Sequence, residues 1–326
     1  METGMEINMN NSMKIIKKIV DNIEHVIVGK RNAIELAVIT LICNGHVLIE
    51  DVPGVGKTSL VSALAKSLNA SFKRIQFTPD VLPSDITGFS IYNQKTGEFE
   101  YRPGAIMSQI ILADEINRTS PKTQASLLEV MEENQVTVDG MTYKVPKPFM
   151  VLATQNPVEY LGTYPLPEAQ IDRFFMKISI GYPSPGEENY ILSRFRQGNP
   201  LESLLPVAES ADIIALQEDI KEVHVDKSLG SYIVDIVGQT RKHPDVTLGS
   251  SPRGSLALFR AAQAWAFYNA RDYVLPDDIK KMVVPVLSHR IILKQEAKLK
   301  KVNPEDILNS IVSRIHVPVV NYDEAK

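Results

Sequence analysis

Asp51-Val52-Pro53-Gly54-Val55-Gly56-Lys57-Thr58 follows a short apolar run, His46-Val47-Leu48-Ile49-Glu50, and precedes Ser59-Leu60-Val61-Ser62-Ala63-Leu64-Ala65-Lys66. The first run reads as a strand and the last as a helix. A glycine-rich turn between them, closed by Gly-Lys-Thr, is the context of a phosphate-binding P-loop. Pro53 belongs to the phosphate-binding turn; Gly54, Val55, Gly56 and Ser59 would offer backbone N–H groups to phosphate oxygens, and the helix start adds partial positive charge. Lys57 would reach the β- and γ-phosphates, and the Thr58 hydroxyl would hold Mg²⁺. Asp51 stands where the general pattern has its first glycine.

Outward from this turn the pattern alternates. Upstream, Ile15, Ile16, Ile19, Ile23 and Val26 recur at helical spacing, and a second apolar helix runs from about Asn32 to Cys43. Downstream, strands are expected at Phe72–Phe77, Ile110–Ala113, Phe149–Thr154 and Lys177–Ile180. Continuous apolar runs such as Ile110-Ile111-Leu112-Ala113 suit a parallel sheet buried on both faces. A helix begins at Ser120-Pro121, with Leu127, Leu128 and Met131 as its apolar face. Two hairpins interrupt the alternation, near 88–103 around Gln94-Lys95-Thr96-Gly97 and near 136–145 around Asp139-Gly140. The expected fold is an α/β P-loop NTPase: a doubly wound αβα sandwich on a parallel sheet.

Past Tyr182-Pro183-Ser184-Pro185-Gly186 strand-like runs nearly vanish. Ser231–Arg241, Arg253–Ala270 and Asp277–His289 read as helices, while Gln197-Gly198-Asn199-Pro200 and its sequel read as irregular. The expected division is a nucleotide-binding core at 1–183 and a smaller helical lid at 184–326.

Composition narrows the function. The 326 residues carry a net charge of −4, so there is no global basic footprint for nucleic acid. The single cysteine, Cys43, sits in an apolar run; it permits no internal disulfide and fits a reducing compartment. The acidic N-terminus lacks a signal-like apolar core, and no run is long enough to span a membrane. A cytoplasmic protein is expected. His224, His243 and His289 lie far apart and lack companions at ligand spacing, so no protein-held metal cage is expected.

Ile110–Glu115 is an apolar strand that ends in two acids. Asp114 would sit in the Mg²⁺ shell, partly through water, and Glu115 would polarise the attacking water. Asn156, just past the Phe149–Thr154 strand, falls at the carboxyl edge of the sheet, where ligands bind in such folds.

Four segments together resemble the MoxR family of AAA+ ATPases. They are Leu112–Arg118, Ala153–Pro157, Gly162–Phe174 and Ser251-Pro252-Arg253-Gly254-Ser255, and the resemblance covers roughly 20–320. It implies ATP and Mg²⁺ as cofactors, with Asn156 as sensor 1. Arg173 is implied as an arginine finger serving a neighbouring subunit, and Arg253 as sensor 2 on the lid. Val28 and Gly29 fall in the adenine-side segment, and Lys30 stands where a glutamine is expected. The hairpins are expected to face the ring pore or a partner.

The implied function is a ring-forming, chaperone-like motor, a homo-oligomer of six. It would use ATP hydrolysis to mature partner proteins by cofactor or metal insertion or by complex assembly. A von Willebrand factor A domain protein is the expected partner; the client is not named by the sequence. The alternatives are the motor subunit of a metal-chelatase-like complex and a nucleic-acid-dependent AAA+ ATPase.

Overall fold

Alternating apolar runs and helices build the molecule in chain order; it is a computed structural model describing residues 2–156, 163–196 and 198–319. Pro157 and Gly162, at the edges of two motifs above, lie outside the described residues, as does Gln197. The opening helices are α1 (Glu2–Glu24) and α2 (Arg31–Ile42). Then come β1 (Val47–Glu50), α3 (Lys57–Ser67), β2 (Phe72–Gln76), α4 (Pro83–Thr87), and a hairpin of β3 (Gly88–Asn93) and β4 (Glu98–Pro103). β5 (Ile110–Asp114), α5 (Pro121–Glu133), a second hairpin of β6 (Gln135–Val138) and β7 (Met141–Lys144), β8 (Met150–Gln155), α6 (Glu168–Ile171) and β9 (Met176–Ile178) complete the α/β part.

The five sheet strands run in the order β2-β5-β8-β1-β9, all parallel. Side chains alternate across the sheet, so each strand feeds two cores. Ile110, Leu112, Met150 and Leu152 pack on the side of α1, α2 and α3. Ile111, Ala113, Val151 and Ala153 pack on the side of α5, against Leu127, Leu128 and Met131. Covering both faces leaves β5 and the apolar part of β8 buried, which is why they read as unbroken apolar runs. His46 fixes the start of β1: Val151 N–H donates to its Nδ1 at 3.0 Å, and Nε2 lies 3.0 Å from the Met131 carbonyl.

Beyond β9 come α7 (Pro185–Phe195), α8 (Ser210–Asp219), α9 (Lys227–Lys242), β10 (Val246–Leu248), α10 (Pro252–Tyr268) and α11 (Pro276–Leu287). β11 (Ile292–Leu293), α12 (Gln295–Leu299) and α13 (Pro304–Arg314) follow. α8 lies in the stretch read as irregular, and β10 and β11 form a short antiparallel ribbon where no strand was expected. α8 buries only Ile213 and Leu216, and α7 buries no residue, so neither carries the periodic stripe that betrays a helix in sequence. Leu258, Phe267 and Met282 of this helical part share one apolar core with α1 and α2.

Candidate functional site

The carboxyl ends of β1, β5 and β8 meet at one edge of the sheet, the place where open α/β sheets bind ligands. A cavity of about 420 Å³ opens there. Its walls are the turn from Pro53 to Ser59, Arg74 and Gln76 from β2, Asp114 at the end of β5 with Glu115 just after it, and Thr154 of β8 with Asn156 just past that strand. Gly56 caps α3 with φ +91, a left-handed value that only glycine adopts at little cost. Lys57 bends back over the turn and donates to the Asp51 carbonyl at 2.8 Å. A phosphate entering the cavity offers the ammonium a charged acceptor instead.

Asp51 does not contact this space. Its carboxylate accepts from Ile180 N–H at 2.6 Å, Gly181 N–H at 2.8 Å, Ser179 Oγ at 3.0 Å and Val52 N–H at 2.9 Å. Burial pushes the carboxyl upward, but the hydrogen bonds from Gly181, Ile180, Ser179 and Val52 outweigh it and hold it below its ordinary value. The acid thus replaces a glycine in order to tie the P-loop to the chain leaving β9.

The acidic pair is held by neighbours that sequence reading missed. Thr154 donates to Asp114 Oδ1 at 2.6 Å and accepts the Glu115 N–H at 2.8 Å. Arg74 donates to Asp114 Oδ2 at 2.6 Å. The Gln76 amide donates to Glu115 Oε2 at 2.7 Å. Glu115 itself adopts φ 58, ψ 49, a left-handed conformation that is uncommon outside glycine and clusters at functional sites. Arg74 and Gln76 could have been found: alternation along β2 puts residues two apart on one side of the strand.

Thr58 and Asp114 offer a hydroxyl and a carboxylate, hard oxygen donors that fit Mg²⁺ carried in with phosphates. The Arg74 guanidinium takes Asp114 Oδ2, so a cation there would share this carboxylate with it. Among the described residues no cluster of His, Cys, Asp or Glu forms a protein-only metal cage.

A second cavity, about 280 Å³, adjoins the P-loop between Val26–Val28, Gly54–Gly56 and Pro183, Ile191 and Phe195 beside α7. Val28 lines it, and its apolar walls suit a planar base. Gly29 acts differently: it adopts φ +71, a left-handed value that favours glycine, beside the Glu187 side chain at the start of α7. Lys30 donates to the Tyr182 carbonyl at 2.7 Å and pins the chain that leads into α7.

Arg173 and Arg253 are elsewhere. Both line a third cavity of about 330 Å³, which shares no wall residue with the P-loop cavity. Arg173 lies 3.1 Å from Glu132 Oε2, and Arg253 pairs with Glu132 Oε1. The residue that the resemblance gives as sensor 2 on the lid thus stands beside the one it gives as the arginine finger, on the same carboxylate. Asp172 makes that neighbourhood. It accepts from Ser251 Oγ at 2.8 Å and from Arg290 Nε at 2.9 Å, joining the turn after α6 to the start of α10.

Residues 46–176 match the family described as ATPase family associated with various cellular activities (AAA), and residues 238–311 match the AAA lid domain. Uncharacterized protein YeaC of Bacillus subtilis (strain 168) is 58% identical over 305 residues, 94% of this chain and 95% of that protein. Chaperone MoxR1 of Mycobacterium tuberculosis is 40% identical over 315 residues, 94% of this chain and 83% of that one. A crystal structure described as a putative ATPase from Cytophaga hutchinsonii superposes with a TM-score of 0.91 at 40% identity, over 97% of this chain and 99% of that one. A parallel sheet edged by a P-loop, a match to the AAA lid domain and likeness to chaperone MoxR1 over 94% of the chain lead to one assignment: this chain belongs to the MoxR family of AAA+ ATPases.

Proposed function

We propose that the chain is the ATP-hydrolysing subunit of a homo-oligomeric ring, of six copies, that remodels or matures partner proteins. The observation that carries the reading is the separation of its charged groups. Lys57, Thr58, Asp114, Glu115 and Asn156 line one cavity, while Arg173 and Arg253 line another. A single copy therefore holds a nucleotide site that Arg173 and Arg253 do not reach, and an arginine cavity without a P-loop. Two copies side by side complete each other.

In this reading the base lies in the apolar cavity at Val28, and Pro53 to Ser59 cradle the phosphates. Lys57 offsets charge on the β- and γ-phosphates. Mg²⁺, held by Thr58 and Asp114 when bound, supplies charge neutralisation at the phosphate oxygens. Glu115 accepts a proton from the attacking water, and Asn156 orients that water. Arg173 and Arg253 of the adjoining copy stabilise charge on the terminal phosphate, a contribution that reaches roughly 10³–10⁵ in rate.

We take 1–183 as the nucleotide-binding core and 184–326 as the lid. The hairpins β3–β4 and β6–β7 then face the pore or a partner. They expose Phe89, Tyr92, Phe99 and Met141, apolar surface available to a client chain. We place the protein in the cytoplasm, with a von Willebrand factor A domain protein as partner. No described helix is long and apolar enough to cross a membrane.

The test is ATP turnover across protein concentration, joined to capture of partners on Glu115→Gln. Turnover that rises per chain with concentration, and a partner retained only with ATP, support the motor. Turnover independent of concentration contradicts the ring.

A further inference from the structure

Glu132 stands in an unfavourable place for a glutamate. It lies in the last turn of α5, a turn with no basic residue, where the exposed carbonyl end of the helix disfavours an anion. What accounts for it is across the cavity: one carboxylate oxygen takes Arg173 and the other takes Arg253. The two arginines come from distant stretches of chain and are brought to one carboxylate by the Asp172 link to Ser251 and Arg290.

We propose that Glu132 is a resident anion that occupies this arginine site until the terminal phosphate of a nucleotide on a second copy of the chain displaces it. The inference rests on the reading of Arg173 and Arg253 given above and adds the residue that guards them. Three observations support exchange. Both ion pairs are open to solvent, with side chains 29% exposed at Arg173, 49% at Arg253 and 35% at Glu132. Pairs so exposed are weak and labile. The cavity also holds Arg260, while Arg290 is committed to Asp172 and to the Phe174 and Phe175 carbonyls. With Arg290 and Asp172 paired to each other, three arginines and one carboxylate are left lining the cavity, an excess that a multiply charged phosphate offsets better. A phosphate also presents more acceptor oxygens to two guanidinium groups than a carboxylate does.

The consequence is selectivity. A neighbouring copy that carries no nucleotide brings nothing able to compete with Glu132, so the arginines stay at home. A neighbour carrying a triphosphate releases both together.

The experiment is sedimentation of the full chain over a range of protein concentrations, with Mg²⁺ and a non-hydrolysable ATP analogue. Glu132→Gln keeps the shape and removes the charge. It should assemble at roughly three- to tenfold lower concentration, the size expected from losing two partly exposed ion pairs. Glu132→Asp keeps the charge but retracts it by one methylene, and should fall between Glu132→Gln and the native chain. It also decides the matter should Glu132→Gln fail to fold. Assembly at unchanged or higher concentration in these variants overturns the proposal, because Glu132 is then a scaffold for the arginines. Mixing Arg173→Ala with Lys57→Ala chains separates the two levels. If hydrolysis returns while Glu132 variants assemble like the native chain, only the guard is wrong. If no hydrolysis returns in mixed rings, the trans reading and the guard fall together.

Discussion

The Thr154 hydroxyl donates to Asp114 Oδ1 at 2.6 Å while it accepts the backbone N–H of Glu115, so one buried oxygen fixes both acids. Thr154→Val keeps the shape, removes the donor and leaves the Glu115 N–H without its acceptor. The expected cost is about 1–3 kcal/mol of stability. Turnover should fall about 10- to 100-fold, the size typical of losing a group that holds a catalytic residue in place. Thr154→Ser should restore most of it. Unfolding curves and ATP turnover on the three forms check this; full turnover in Thr154→Val refutes the role.

Lys57→Ala and Glu115→Gln should separate binding from chemistry. Lys57→Ala removes the ammonium that faces the phosphates and should abolish nucleotide binding. Glu115→Gln keeps the cavity and the amide partner Gln76 but loses the proton acceptor, so ATP should bind and persist. Equilibrium binding of a fluorescent ATP analogue, read beside phosphate release, distinguishes the two. Normal phosphate release in Glu115→Gln removes it as the base.

Asp51→Ala leaves four donors without their acceptor: the N–H groups of Val52, Ile180 and Gly181 and the Ser179 hydroxyl. A loss of about 1–3 kcal/mol is expected, with weaker nucleotide binding because the P-loop loses its tie to the chain after β9. Denaturant midpoints and ATP titration check both parts.

Buried His46 and half-buried His289 set an acid limit. Burial pushes His46 down to about 4, against a weaker upward pull from the Met131 carbonyl. Burial, aided by Arg290, holds His289 well below its ordinary value. Groups whose folded value is depressed lend their full contribution above about pH 6.5 and lose it as pH falls toward the folded value. For His46 the loss amounts to about 3 kcal/mol between pH 6.5 and 4. Denaturant midpoints should therefore drop as pH is lowered through that window, and less steeply in His46→Gln.

Much of this was readable in the chain because burial leaves marks on sequence. Ile110–Ala113 of β5 and Met150–Ala153 of β8 are sandwiched between helices, so they must be apolar, and the Asp139-Gly140 turn announces its hairpin. The P-loop needs left-handed glycine at Gly56. Other features leave no such mark. α7 buries nothing, so its residues keep no period. Thr154 acts through two hydrogen bonds, and a threonine at a strand end looks ordinary. Glu132 looks like any surface glutamate until Arg173 and Arg253 are seen on its two oxygens. That meeting is made by tertiary packing around Asp172, which no local pattern encodes.

Arg253 should now behave as Arg173 does. Arg173→Ala and Arg253→Ala should each bind ATP normally and hydrolyse it slowly, by roughly 10³-fold or more for the finger. An Arg253→Ala chain with native turnover would remove it from the shared site.

The central claim is that a complete site takes residues from two copies. Mixing Arg173→Ala chains with Lys57→Ala chains tests it most directly, with co-assembly verified by sedimentation in the presence of ATP. In mixed rings the intact P-loop of an Arg173→Ala chain meets Arg173 of its Lys57→Ala neighbour. Phosphate release should therefore return although each population alone is inactive. Mixed rings that form and stay silent would show that Arg173 is structural or acts within its own chain.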